Sequence, residues 1–358
     1  MSKKLFSLLA LLVVASMVLA ACAPAPETPT VEEPAAEEPA AEEPAAEPTA
    51  LVCQVTDVGG IDDKSFNATA YKGVTDAEAA LGVEGQFLES QEQGDYETNI
   101  NAFVEQGCDL IVTVGFLLGD ATYAAADANP DQKFTIVDYP NSLDETVRAN
   151  LIGLLFNTDQ AAFLAGYVAA ASTQTGVVGT FGGIQIPPVT VFMDGFWYGV
   201  QYYNEQNGTS VQVLGWDPAT QTGLFTGNFE STDDGRTFGQ NLIDQGADII
   251  MPVAGPVGLG TAAAAQEAGN VWIVGVDTDW TVSASEYADI VLTSVLKNMD
   301  VAVFDTIQSV LDGTYAGGNY FGTLENNGVG IAGSFPELQA DLDVITAGII
   351  AGEIQTAP

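Results

Sequence analysis

The sequence predicts an α/β protein whose globular part folds as two doubly wound parallel-sheet lobes, and three features of the 358-residue chain carry that expectation. From residue 51 onward, short apolar runs bounded by turn residues alternate with helical patterns, as buried parallel strands and their crossover helices do. After Asn157 the alternation starts afresh. Polar residues and glycines gather beyond the carboxyl ends of the runs, the edge at which open α/β sheets take ligands.

Residues 1–21 precede this region and read as a signal peptide: Lys3 and Lys4, an apolar run from Leu5 to Ala20, then Leu19-Ala20-Ala21-Cys22. The run is about 16 residues, short of the roughly 20 a spanning helix needs, which disfavours an uncleaved membrane anchor. Cleavage before Cys22 leaves a lipidated amino terminus, each buried methylene of its acyl chains holding it to the membrane by about 0.8 kcal/mol. From Ala23 to about Thr49 the chain is almost entirely Pro, Ala, Glu and Thr, repeating Glu-Glu-Pro-Ala-Ala. With no apolar face to bury, this stretch is expected to be a disordered, self-repelling spacer.

The first series runs strand Leu51–Asp57, helix Ser65–Leu81, strand Gln86–Glu89, helix Tyr96–Gln106, strand Leu110–Gly115, helix Ala121–Ala128 and strand Phe134–Asp138. After Asn150–Asn157 the second follows: helix Gln160–Ser172, strand Val177–Phe181, helix Val191–Glu205, strand Val211–Gly215, helix Thr237–Gln245, strand Ile249–Val253, helix Gly260–Ala268 and strand Trp272–Val276. Two series of similar size imply two lobes with a cleft between them.

Composition narrows the function. The formal charge is −40, and after the signal only Lys64, Lys72, Lys133, Arg148, Arg236 and Lys297 are basic, so a phosphate backbone is repelled and nucleic acid is disfavoured. Histidine is absent, which removes Ser-His-Asp and Cys-His catalysis and the imidazole ligands of most catalytic zinc sites. Neither a cofactor nor a resident metal is expected. With Cys22 lipidated, Cys53 and Cys108 are left either as one disulfide or as two buried thiols. Both lie near the amino ends of the first and third strands, neighbours in a flavodoxin-like order, which favours the bridge.

The segment Asp57-Val-Gly-Gly-Ile-Asp-Asp-Lys-Ser-Phe-Asn67 joins the first strand to the first helix. Its glycines permit a tight turn, Asp63 or Ser65 can cap the helix, and Phe66 and Asn67 project from the first turn. Calcium binding by Asp57, Asp62 and Asp63 lacks the EF-hand spacing. Gly255-Pro-Val-Gly-Leu-Gly260 lacks both the dinucleotide glycine order and a following Lys-Ser/Thr, so it does not read as a phosphate loop. Phe192, Phe196, Trp197, Tyr198, Tyr202 and Tyr203 have near-helical spacing and read as helix core and lobe surface.

Beyond these local patterns, Gly115-Phe-Leu-Leu-Gly-Asp120, Gln160–Ala170, Gly246-Ala-Asp248, Ala254–Gly260, Gly275-Val-Asp277 and Thr293-Ser-Val-Leu-Lys-Asn298, in this order, resemble the basic membrane protein family of solute-binding lipoproteins, the purine nucleoside receptor type, from Val52 to Gly352-Glu-Ile354. The resemblance implies a type I periplasmic-binding-protein fold with a three-segment hinge: Leu151–Asn157, then Ile290–Leu296, then a crossing near Tyr320. The first lobe is then residues 51–156 and 289–320, the second 157–288 and 321–358. It further implies that Asp57, Phe66, Asn67, Phe116 and Asp120 line one side of a pocket and Met251, Gly255, Gly258 and Asp277 the other, with Lys297 near the hinge. Met251 stands where members often carry an aromatic, and Trp280 where they usually carry Gln.

The expectation is therefore a monomeric, non-enzymatic lipoprotein on the outer face of the cell membrane, capturing a nucleoside, a purine by preference, for an ABC permease and its ATPase. Two alternatives use the same residues: a sugar or autoinducer receptor used for sensing, and a secreted nucleoside hydrolase.

Overall fold

The structure, a computed structural model, describes residues 48–358. The expected signal peptide, Cys22 and nearly all of the Pro/Ala/Glu stretch lie outside the described residues. Among the described residues no helix is long and apolar enough to cross a membrane.

The first series forms strands β1 (Leu51–Val55), β2 (Glu84–Leu88), β3 (Leu110–Val114), β4 (Phe134–Val137) and β5 (Leu151–Phe156), with helices α1 (Phe66–Leu81), α2 (Asp95–Gln106) and α3 (Gly119–Ala128). The second follows as α4 (Thr158–Ser172), β6 (Val177–Gly182), α5 (Pro187–Asn207), β7 (Gln212–Leu214), the ribbon β8 (Trp216–Asp217) and β9 (Thr222–Gly223), α6 (Thr232–Asp244), β10 (Ile249–Val253), α7 (Val257–Ala268), β11 (Trp272–Asp277), the short α8 (Trp280–Ser283) and β12 (Val291–Lys297). Then come α9 (Met299–Leu311), β13 (Gly318–Gly322), β14 (Val329–Ile331) and α10 (Gln339–Ile350). Two six-stranded sheets result, ordered β13-β5-β4-β3-β1-β2 and β14-β12-β11-β10-β6-β7, parallel throughout except for β14.

Buried strands such as β3 (Leu-Ile-Val-Thr-Val, every residue buried) look like continuous apolar runs because helices cover both faces. Helix α4 is buried over most of its length and lies so close to α5 that a Cβ on Gly199 would sit 2.0 Å from the Phe163 carbonyl oxygen. Cys53 and Cys108, both in the first-lobe core, are joined as a disulfide with Cα atoms 6.1 Å apart.

Registers match the lobes residue for residue. Val52 pairs with Leu110 as Val178 pairs with Ile249, and Ile111 pairs with Phe134 as Ile250 pairs with Ile273. Counting outward, Cys53 corresponds to Gly179, Cys108 to Ala247, Asp138 to Asp277 and Phe156 to Lys297.

Two expected hinge positions are corrected. Ile290–Leu296, expected as the second crossing and part of the first lobe, falls almost wholly in β12, an interior strand of the second sheet paired with β11 and β14. The chain leaves that sheet only at Asn298, where α9 begins and packs on α1 of the first lobe, so the boundary expected at 289 moves to the end of β12. The third crossing follows Gly322, because Tyr320, Phe321 and Gly322 still pair with β5.

Candidate functional site

The strand ends of the two sheets face one another across a cleft between the lobes, the position at which small-molecule sites commonly form. Of the expected residues, Asp57, Phe66, Asn67, Phe116, Gly255, Asp277 and Lys297 line it.

Asp57 follows β1 and is held by its neighbours. Its Oδ1 accepts from the Gly59 N–H (2.9 Å) and the Asn67 side-chain amide (2.7 Å), and its backbone N–H donates to the Asn67 amide oxygen (3.3 Å). Among the described residues its Oδ2 accepts from none. Asp63 supplies the cap of α1, accepting from the N–H groups of Ser65, Asn67 and Ala68. This satisfies donors that a helix start otherwise leaves orphaned and sets Phe66 and Asn67 on the cleft wall.

Asp138 and Asp277 end β4 and β11 with left-handed φ of 69° and 70°, uncommon for a residue bearing a Cβ. Lys297, 2 % exposed, donates to Asp138 Oδ2 at 2.5 Å and lies 4.8 Å from the Phe66 ring centre and 6.0 Å from that of Phe192. Asp277 Oδ2 accepts from the Ser65 hydroxyl at 2.8 Å. Burial pushes the carboxyls of Asp57, Asp138 and Asp277 above the usual carboxylate range, and the Lys297 ammonium opposes this at the latter two. These three carboxyl groups and that of the helix-capping Asp63 thus line the cleft with a single ammonium: it is rich in acceptors for O–H and N–H groups and unfavourable to anions.

Three expected lining residues stand elsewhere. Asp120 is exposed and accepts from the Tyr139 hydroxyl (3.2 Å), because Phe116–Leu118 forms one 3-10 turn and only Phe116 and Leu117 reach the cleft. Met251 lies fully buried within β10, too early in the strand to reach its carboxyl end. Gly258 borders the core side chain of Trp280, whose Cη2 would be 2.8 Å from an added Cβ. Trp280 itself, 1 % exposed, donates its indole N–H to the Val276 carbonyl and fills the second-lobe core behind the cleft.

Sequence reading put Asp138 at the strand-end edge where a ligand could lie but did not carry it into the pocket residues, which it joins. It missed the aromatics of the far wall. Phe192, assigned to helix core by its spacing, and Phe229, in an irregular loop with no periodicity to flag it, line the second-lobe side where Met251 was expected. The rest of that aromatic run is packed as expected: Phe196 is buried, and Tyr202 and Tyr203 meet Tyr167.

Comparison with known proteins bears on the family and the fold. Residues 50–346 match the family model described as "ABC transporter substrate-binding protein PnrA-like". The ABC transporter nucleoside-binding protein BmpA of Lactococcus lactis subsp. cremoris is 30% identical over 320 residues, covering 84% of this chain and 87% of its own. Basic membrane protein A of Borreliella burgdorferi is 32% identical over 308 residues, covering 83% and 84%. Among solved structures, an ABC transporter solute-binding protein from Aeropyrum pernix K1 superposes with a TM-score of 0.74 at 28% identity, covering 86% of this chain and 92% of that one.

Proposed function

The chain belongs to the Bmp family of PnrA-like ABC transporter substrate-binding proteins, and we propose that its cleft captures a neutral nucleoside, a purine by preference, for delivery to an ABC permease and its ATPase. The protein acts as a lipid-anchored monomer held through Cys22 outside the cell membrane. The observation that carries this reading is the pairing of aromatic walls with surplus acceptors: Phe66 faces the cleft from the first lobe and Phe192 and Phe229 from the second, while four carboxyl groups meet one ammonium. An aromatic base stacked on Phe66 gains about 0.5–1.5 kcal/mol beyond burial. Ribose hydroxyls donating to Asp277 gain roughly 1.5–3 kcal/mol per bond to the ionised group. Asp57, steadied by Asn67, offers its unengaged Oδ2 to a base N–H. No chemical step is required; the ligand is bound, enclosed and released.

Mass spectrometry of ligand released from the denatured protein, followed by calorimetry with guanosine, inosine, adenosine and their 5′-monophosphates, tests the assignment. A phosphate brought beside Asp57 and Asp277 has only Lys297 to meet it, and that ammonium is engaged by Asp138, so nucleotides should bind at least about tenfold more weakly, a gap of about 1.4 kcal/mol. Equal affinity for guanosine and its monophosphate would overturn the reading.

A further inference from the structure

Just outside the cleft lining, two consecutive residues of the first lobe cross to the second. Asp63 accepts the N–H groups of Ser65, Asn67 and Ala68, so the Ser65 hydroxyl is not needed for capping. It turns instead to Asp277 Oδ2 at 2.8 Å, beside the Val276 carbonyl at 3.3 Å. Lys64 is held at φ 56°, in the left-handed region that a residue with a Cβ enters at a cost. From there its Nζ lies 2.6 Å from Glu286 Oε1, in the second lobe's segment between α8 and β12. That ion pair is at the rim, its side chains 42% and 49% exposed, whereas Ser65 is 1% exposed. Neither Lys64 nor Ser65 lines the cleft.

We propose that Lys64 and Ser65 form a closure latch, in which Ser65 is a positioning residue that fixes Asp277 for the ligand only when the lobes are shut, and the Lys64–Glu286 pair holds the rim. The proposal rests on the cleft being the ligand site.

Asp277 has different partners in the shut and open states. With the lobes together, one carboxylate oxygen is bound by the first lobe and the other is left to accept from a ligand. Opening removes the Ser65 hydroxyl and lets water and rotation reorient the carboxylate. A ligand donating to a preset Asp277 therefore binds the shut form better, and differential affinity of this kind is what shifts a two-state equilibrium. The rim pair contributes a smaller, salt-sensitive bias in the same direction, because half-exposed charges are screened. The strained φ of Lys64 is maintained by the hydrogen bonds that run past it from Asp63 to the N–H groups of Ser65, Asn67 and Ala68.

Small-angle scattering and interlobe fluorescence energy transfer on the full chain, with and without guanosine, test the latch. Lys64→Glu should shift the ligand-free ensemble toward open and weaken guanosine about two- to fivefold. The charge swap Lys64→Glu with Glu286→Lys should restore both. Molar salt should weaken the wild type by a similar factor and leave Lys64→Met unchanged. Ser65→Ala should weaken guanosine by about tenfold or more, the scale of a lost hydrogen bond to a charged group, and raise its dissociation rate while the melting temperature of the ligand-free protein stays put. A swap that restores neither compaction nor affinity, or a Ser65→Ala protein that closes and binds as the wild type does, would overturn the latch. Should guanosine fail to bind the wild type while the swap still restores compaction, the nucleoside reading falls and the rim pair stands.

Discussion

The two lobes are built to one plan, and they differ at matching positions. At the carboxyl ends of β4 and β11, Asp138 and Asp277 share a left-handed backbone and deep burial, yet Asp138 is neutralised by Lys297 while Asp277 receives only the Ser65 hydroxyl. At the amino ends, Cys53 and Cys108 of the first lobe are bridged where the second lobe has Gly179 and Ala247. There Leu242 occupies the space, 3.1 Å from where a Cβ on Gly179 would stand. The disulfide fixes the start of the first lobe's strands and the ion pair ties the end of β4 to β12 of the second lobe, whereas Asp277 keeps an oxygen to spare.

If that contrast is right, removing the ammonium should have the largest effect. Lys297→Met strands a buried carboxylate and should lower unfolding free energy in denaturant by about 3–5 kcal/mol, and adding Asp138→Asn should recover much of it. A single variant as stable as the wild type would mean that Asp138 is not held by charge. Giving the first lobe the second lobe's residues, Cys53→Gly with Cys108→Ala, should cost about 2–5 kcal/mol of stability without altering guanosine affinity beyond the stability loss. On the other side of the comparison, Asp277→Ala should leave folding nearly intact and reduce guanosine affinity by roughly 10- to 150-fold, the equivalent of ~1.5–3 kcal/mol. Undiminished binding would sink the assignment of Asp277.

The smallest expected effect is a pH dependence confined to the first lobe's loop. Burial lifts the Asp63 carboxyl from 3.8 to about 7 despite its hydrogen bonds to Ser65, Ala68 and Asn67. A carboxyl with a higher pKa in the folded state binds its proton more tightly there, so its contribution is full below the unfolded value and is lost as pH rises through the folded one. The melting temperature should therefore fall as pH is raised from about 5 to about 8, and the fall should be shallower in Asp63→Asn. Asp57, Asp138 and Asp277 shift in the same direction, so the difference between variant and wild type isolates Asp63.

What the sequence disclosed follows the same division. Strand runs were legible because burial on both faces leaves a plain apolar signature, and Asp57, Phe66, Asn67 and Asp277 were legible because they sit at strand ends or on a helix's first turn. The partnership of Lys297 with Asp138 was not, since it joins residues 159 apart through lobe packing that no local pattern records. Asp120 and Met251 were misplaced for a geometric reason: a single 3-10 turn and a position two residues from a strand's end each decide which way a side chain faces. Phe229 gave no signal at all, being in a loop without periodicity. Ile290–Leu296 looked like a connector because the chain does cross soon after it, but its apolar run is that of an ordinary interior strand.

The threading of the chain between the sheets has a consequence for how such a molecule comes into being. Strand β13 closes the edge of the first sheet and α9 covers α1, yet both are encoded after the whole run from α4 to β12. A ribosome or a secretion channel delivers the amino-terminal part first, so the first five strands must wait, with an uncovered helix and an unpaired edge, until residues 299–322 emerge. Contacts so distant along the chain slow folding and prolong exposure of apolar surface. The first lobe can then reach completion only after nearly all of the second has been made, and a nonsense mutation between β12 and β13 leaves two half-built bodies instead of one finished lobe and one missing.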